Sequence, residues 1–380
     1  MLIMNLQDNF RDESTGLRIN FGVLTREFGV EVSQGPRYTE DIEWMRNIPI
    51  IGEDYLRGGT YTRALMTGLY NTLQVVIIGL IFATILGIFV GIGLLSGNWL
   101  VQNVSMVYVE IFRNTPLLVQ LFLIYGVWTR ILPGVRQSIE LPASIYLNNR
   151  GLNYPAVSAT DTFTPFFALS LIGFVLGIFL WVRRLRIQEE TGQPANTLTY
   201  FSASFFGFMF VGLIIALVLG DLPLQTESPE TLEELRFNFE RGASLTSEFM
   251  SLTVTLILYT SAFIADIVRA GILSVPKGQI EAARASGLTG SQTLRLVILP
   301  QALRLIIPPL TNQYLNLSKN SSLAIAVGYV DLFNVSNIAT NQSGQAVVFF
   351  AVVLLIYLAL SLLISLFMNI FNRSMQLQTR

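Results

Sequence analysis

Histidine and cysteine are absent from the 380 residues, and lysine occurs only as Lys277 and Lys319. Without imidazole or thiolate there is no disulfide framework, no zinc site built on those ligands and no Ser-His or Cys-His nucleophile, so no catalytic or metal site is expected. Neither lysine follows a glycine, so neither belongs to a phosphate-cradling Walker A loop, and no ATPase site is expected in this chain. Charge is also scarce, at 13% of residues with a net charge of -1. Soluble domains carry roughly 25% charged residues, so this sequence is not composed for water. The missing basic excess argues against a nucleic-acid partner, because phosphate binding needs a positive patch.

Apolar residues fill the space that charge leaves, at 52% of the chain. Residues 64–109, 191–220 and 332–372 contain no charged side chain. Each run exceeds the ~20 residues that a bilayer-spanning helix requires. Windows of that length predict an all-α, polytopic membrane protein with about seven transmembrane helices, near 69–95, 104–128, 163–182, 200–220, 249–273, 300–317 and 346–370. Arg183, Arg184 and Arg186 follow the third predicted span, Lys277, Arg284 and Arg295 separate the fifth from the sixth, and Arg373 and Arg380 follow the seventh. Basic loops stay in the cytoplasm, so the N-terminus is expected outside, the C-terminus inside, and the Glu-rich loop 221–248 outside. The loop 129–162 runs slightly against this rule, since Arg130, Arg136 and Arg150 outnumber Glu140 and Asp161.

The organisation reads as a polar N-terminal segment 1–63, two spans in 64–128 forming a hairpin, an inserted region 129–248 of external loops and two spans, a denser unit 249–372, and a tail 373–380. The first 60 or so residues have neither a basic n-region nor an apolar h-region, so no signal peptide is expected. No internal repeat is evident. Gly79, Ala83, Gly87 and Gly91 form a small-residue stripe on the first span, which suits close helix packing within the chain more than a contact with a second subunit.

The most informative stretch is 274–300, SVPKGQIEAARASGLTGSQTLRLVILP. Pro276 suits a helix start, residues 279–286 form helix readily, Gly287 suits a left-handed stop and Ser291 can cap the next helix. The spacing of Glu281, Ala282 and Ala283 to Gly287, and of Gly287 to the Ile-Leu-Pro ending at Pro300, resembles the EAA loop of bacterial ABC-importer permeases. Residues 108–120, YVEIFRNTPLLVQ, resemble the polar amino-acid branch of that family, as do GLYNT at 68–72 and SKNSSL at 318–323. The wording of 113–120 and the inserted pair of spans are similar to the general L-amino-acid permease group. Members of that group usually carry a further apolar span ahead of a segment like 14–60.

The resemblance covers about half of the chain and implies a type I ABC-importer permease of the bacterial inner membrane that breaks no bond itself. It implies that Gln279, Glu281, Ala282, Ala283 and Gly287, in the loop 276–300, contact an ATP-hydrolysing subunit. The implied partners are a dimer of ATP-binding subunits carrying ATP-Mg, a second homologous permease or a copy of this chain, a periplasmic substrate-binding protein, membrane lipid, and a polar or broad-range L-amino acid as substrate. No cofactor is expected in this chain. Transport without ATP, as in an ion-coupled secondary transporter, is the competing reading, and it leaves the EAA loop without a purpose. An intramembrane enzyme would have only Lys319 beside Ser321 and Ser322 to work with.

Ionisable groups inside spans are costly and mark function. Glu110 and Arg113 are spaced to pair on one helical face, with Asn114 beside them. Asp266 and Arg269 repeat the spacing, as a gate or interface. In the sixth span Pro308 and Pro309 are expected to break the helix, and Asn312, Asn316 and Asn320 form a polar stripe beside Lys319, Ser321 and Ser322. A helix that unwinds near Ser318 and restarts at Ser322 would offer free N–H groups to a substrate carboxylate, whereas a plain external loop is the bland alternative.

Overall fold

In the computed structural model, residues 21–26, 28, 60–191, 196–229, 239 and 242–375 are described. Most of the polar N-terminal segment, the charges from Glu230 to Arg236, Glu240, Arg241 and the tail at Arg380 fall outside them. Eleven α-helices are described: α1 (Tyr61–Gly93), α2 (Trp99–Asn114), α3 (Leu117–Ile131), α4 (Phe163–Thr191), α5 (Thr197–Leu219), α6 (Ser247–Leu273), α7 (Lys277–Ala285), α8 (Gly290–Thr293), α9 (Leu299–Asn320), α10 (Leu332–Ser343) and α11 (Ala346–Met375). Six long apolar stretches are able to cross a membrane: α1, α4, α5, α6, α11 and the 290–327 segment containing α9. The pair α2 and α3, bent by 108° at its break, makes a seventh.

Packing around α1 settles that this bent pair carries the chain across. A Cβ placed on Gly87 would lie 2.6 Å from Ile264, and one on Gly91 would lie 2.9 Å from Val268, so α1 and α6 run parallel. There is no room for any larger side chain at either glycine. In lipid, where no water drives helices together, such backbone approach supplies the van der Waals contact that holds a pair. The small-residue stripe therefore serves packing within the chain, with Gly87 and Gly91 against α6 and Gly79 against Leu317 of α9. Near its C-terminal end α1 also meets α2, where Gly93 lies against Ser105. Ser247 at the start of α6 donates its backbone N–H to the Arg150 carbonyl at 2.9 Å, which ties that end of α6, and hence the start of α1, to the loops after α3. Since α1 ends at the opposite side, α2 and α3 must bring the chain back.

Strands that the sequence reading did not foresee lie at this end. β1 (Ile139–Leu141), β2 (Ile145–Asn148), β3 (Gly151–Tyr154) and β6 (Ala243–Thr246) form an antiparallel sheet in that order. β4 (Ala156–Ala159) pairs with β5 (Leu224–Glu227). Between these pairings α4 and α5 form a hairpin packed chiefly on itself: Gly173 meets the Phe208 side chain and Gly177 meets Phe201.

A second core sits at the same end, where α10 turns back between α9 and α11. Here GLYNT has a packing explanation. Gly68 lies against the backbone of Asp331 and Leu332, Asn71 donates to the Val330 carbonyl at 2.7 Å, and the Thr72 hydroxyl accepts from the Leu332 N–H at 3.1 Å. Asp331 caps α10 through the Asn334 N–H at 2.9 Å and is 1% exposed. Burial pushes its carboxyl up to about 7, offset in part by the backbone N–H groups that it faces.

Candidate functional site: a broken span and an exposed loop helix

The break between α2 and α3 is permitted by one residue. In a continuous helix the Phe112 carbonyl would accept the N–H four residues on, and that residue is Pro116, which has none. Thr115, preceding the proline, takes an extended backbone with φ -95 and ψ 130, as steric clash with the ring favours. Gln120 then supplies the missing donors: its side-chain amide donates to the Phe112 and Thr115 carbonyls, each at 2.8 Å. It is 5% exposed, and its remaining oxygen has no hydrogen-bond partner. The single helix expected over 104–128 is therefore two, α2 and α3, divided at Thr115 and Pro116. α3 opens at the break with a fresh N-terminus, where N–H groups and the helix dipole favour an anion.

Polar groups gather beside it. Arg113 forms an ion pair with Asp266 of α6 and lies over the Phe263 ring at 5.3 Å. Glu110 accepts instead from the Asn114 amide at 2.7 Å. The expected Glu110 to Arg113 and Asp266 to Arg269 pairs are thus replaced by one pair across helices, which spacing along a single helix cannot reveal. Arg269 is exposed. The Tyr108 hydroxyl lies 3.0 Å from the Leu258 carbonyl and 2.6 Å from the Ser261 hydroxyl, fixing α2 against α6.

The sixth span differs from its reading twice. α9 runs through Pro308 and Pro309 without a break, and it passes directly into a 3-10 turn, Ser321–Val327. The Ser321 N–H bonds to the Leu317 and Lys319 carbonyls, so the helix does not restart at Ser322 and frees no N–H groups there. The Ser321 and Ser322 hydroxyls donate to the Ser318 and Lys319 carbonyls at 2.7 and 2.8 Å. The polar stripe does exist: Asn312, Asn316 and Lys319 are exposed on one face, and Asn320 is half-buried. Among the described residues no hydrogen bond or ion pair joins this stripe to the cluster on α2.

At the opposite end from the strands, α7 stands between two spans as a nine-residue helix. Gln279, Glu281 and Ala282 are exposed, whereas Ala283 is buried, so one face holds the helix and the other is presented outward. Gly287 has φ +78 with open space around it, so it is the backbone conformation and not crowding that calls for glycine. The next helix, α8, is capped by Thr289, in a reciprocal pair with Gln292, and not by Ser291. Among the described residues there is no group of three or more metal-ligating side chains.

Up to seven spans, one of them broken, with a short helix held out from one end, make a polytopic membrane protein with a discontinuous span, an arrangement that transporters use. Residues 83–377 match the family described as Binding-protein-dependent transport system inner membrane component, and the chain belongs to that family. It is 47% identical to the General L-amino acid transport system permease protein AapQ of Rhizobium johnstonii, over 84% of this chain and 78% of that one. It is 44% identical to the Putative amino-acid ABC transporter permease protein YhdX of Escherichia coli, over 86% and 82%. With the Glutamate/glutamine/aspartate/asparagine transport system permease protein BztB of Rhodobacter capsulatus it shares 36% identity over 97% and 88%.

Proposed function

We propose that this chain is the permease subunit of an ATP-driven importer of polar or broad-range L-amino acids, as the names of its relatives suggest. The observation that carries the reading is α7, whose exposed Gln279, Glu281 and Ala282 offer a docking ridge outside the spans. The ridge, with Ala283 and Gly287 shaping it, receives a dimer of ATP-binding subunits that hold ATP-Mg in the cytoplasm. A second homologous permease or a copy of this chain completes the pathway, and a periplasmic substrate-binding protein delivers the amino acid at the strand end. In this orientation the N-terminus is outside and the C-terminus inside the bacterial inner membrane.

ATP-driven closure of the partner subunits moves α7, which levers the spans between outward-open and inward-open arrangements. The substrate carboxylate meets the N-terminus of α3, beside Glu110, Arg113 and Asn114. The exposed face of Asn312, Asn316 and Lys319, with Asn320 to Ser322 at its end, lines the rest of the path. The Arg113 to Asp266 pair is the gate that opens and closes between α2 and α6, near Arg269.

Purification of the tagged, assembled transporter tests the coupling role. Glu281→Arg is expected to reduce co-purifying ATPase subunit at least tenfold while the chain remains in the membrane. Uptake is expected to be abolished by vanadate and unaffected by ionophores. Retention of the ATPase in the variant, or ionophore-sensitive uptake that ignores vanadate, would overturn the proposal.

A further inference from the structure

Away from the broken span, α1, α9 and α11 enclose an apolar groove of about 610 Å³. Its floor is made by Val76, Ser318 and Met368, all buried, and its walls by Ile77 and Ile81 on one side and Leu363 and Phe367 on the other, all exposed. Of the hydroxyls that line it, that of Ser318 in the floor has no hydrogen-bond partner among the described residues, whereas the pair in the wall is satisfied internally. Thr84 donates to the Leu80 carbonyl at 2.7 Å, so Tyr314, 2.7 Å from the Thr84 hydroxyl, donates to it.

Three features identify what fills this groove. It lies within membrane-spanning helices, where the surrounding medium is hydrocarbon. Its walls continue without interruption into the large exposed apolar side chains of α1 and α11, including Ile85, Ile88, Leu362 and Leu366. On α9, finally, Tyr314 and Ser318 sit roughly 200° around the helix from Asn312 and Asn316. A stripe carrying Lys319 cannot face lipid at acceptable cost, so the groove occupies the side that does. From Leu73 to Ile85 the groove follows α1 for roughly 18 Å at the helical rise per residue. One leaflet of the hydrocarbon core is about 15 Å deep, so the length suits a single fatty-acyl chain.

We propose that this groove is a binding site for one acyl chain of a membrane phospholipid, held between the helices and not merely at their periphery. The lipid bridges α1 and α11 over α9, so its tail is a packing element of the bundle.

The test is to purify the assembled transporter in mild detergent, remove loosely held lipid by extended washing, and count the phospholipid that stays per copy by native mass spectrometry. Wild type is expected to keep one, Val76→Trp and Met368→Trp to lose it at least tenfold, and Leu355→Trp, on an exposed part of α11, to keep it. Because a floor variant can fail to fold, a phospholipid bearing a photoactivatable acyl chain is also crosslinked to the wild-type complex. Adducts are expected on peptides containing 73–85 and 360–368. Complete loss of lipid from wild type, equal retention in all variants, or adducts scattered over other spans would overturn the site. So would a photoreactive residue placed at Ile81 that crosslinks to a neighbouring permease.

Discussion

The second and sixth spans each contain proline, yet only one of them breaks. In the second, a single Pro116 bends the path by 108°; in the sixth, Pro308 and Pro309 together leave α9 running from Leu299 to Asn320. Each proline removes one backbone donor, so a count of lost hydrogen bonds predicts the opposite order. What differs is the surroundings. Around the α9 prolines, Ile306, Ile307 and Leu310 are buried in the central core and hold both halves of the helix in line. Around Pro116, Arg113, Asn114, Leu118 and Val119 are exposed, core contact is left to Leu117 and Leu121 after the break, and Gln120 takes the two carbonyls that the bend leaves open. Proline permits a break, but packing and a replacement donor decide whether one occurs.

The sharpest way to test that contrast is to remove the replacement donor. Gln120→Leu leaves two carbonyls without partners inside a span, at about 1–3 kcal/mol each, so thermal unfolding of the purified transporter should show a loss of roughly 2–6 kcal/mol, together with loss of uptake. A neutral result would show that water or a rearranged bend satisfies the Phe112 carbonyl. Next in size, Pro116→Ala restores the missing N–H and should leave stability within about 1 kcal/mol of wild type while straightening the helix. Spin labels on Val104→Cys and Val127→Cys should then report a longer separation, and uptake should fall because the N-terminus of α3 is lost. The smallest effect belongs to the sixth span. Pro308→Ala returns a donor to a helix that is already continuous, so it should stabilise by at most about 1 kcal/mol with uptake unchanged. A collapse of uptake in this variant would mean that α9 bends during transport, and the two spans would then be alike.

The same pair of spans shows what a single sequence can and cannot disclose. Hydrophobic length was enough to find the seven candidate crossing segments among the described residues, because the bilayer imposes it on each helix independently of its neighbours. The loop helix at 277–285 and its stop at Gly287 were also legible, since a local conformation was being read from local residues. The break was placed in the wrong span because two prolines and a run of asparagines look weaker than one proline, and the burial that straightens α9 comes from residues of α6. The partner of Arg113 was missed for the same reason: Asp266 lies on another helix, beyond any spacing rule. The strands went unseen because each has three or four residues, and β3 finds β6 only across the whole α4 and α5 insertion.

That last pairing has a structural corollary. Gly151 lies opposite Thr246, so the chain leaves the core and re-enters it on neighbouring strands, whose spacing is about 5 Å. Everything between, two membrane crossings included, is a detachable cassette whose ends already meet. A short turn in place of residues 152–245 would close the gap without moving α3 or α6, which makes this the point where the transporter can gain or shed a whole helical hairpin at little cost to its bundle.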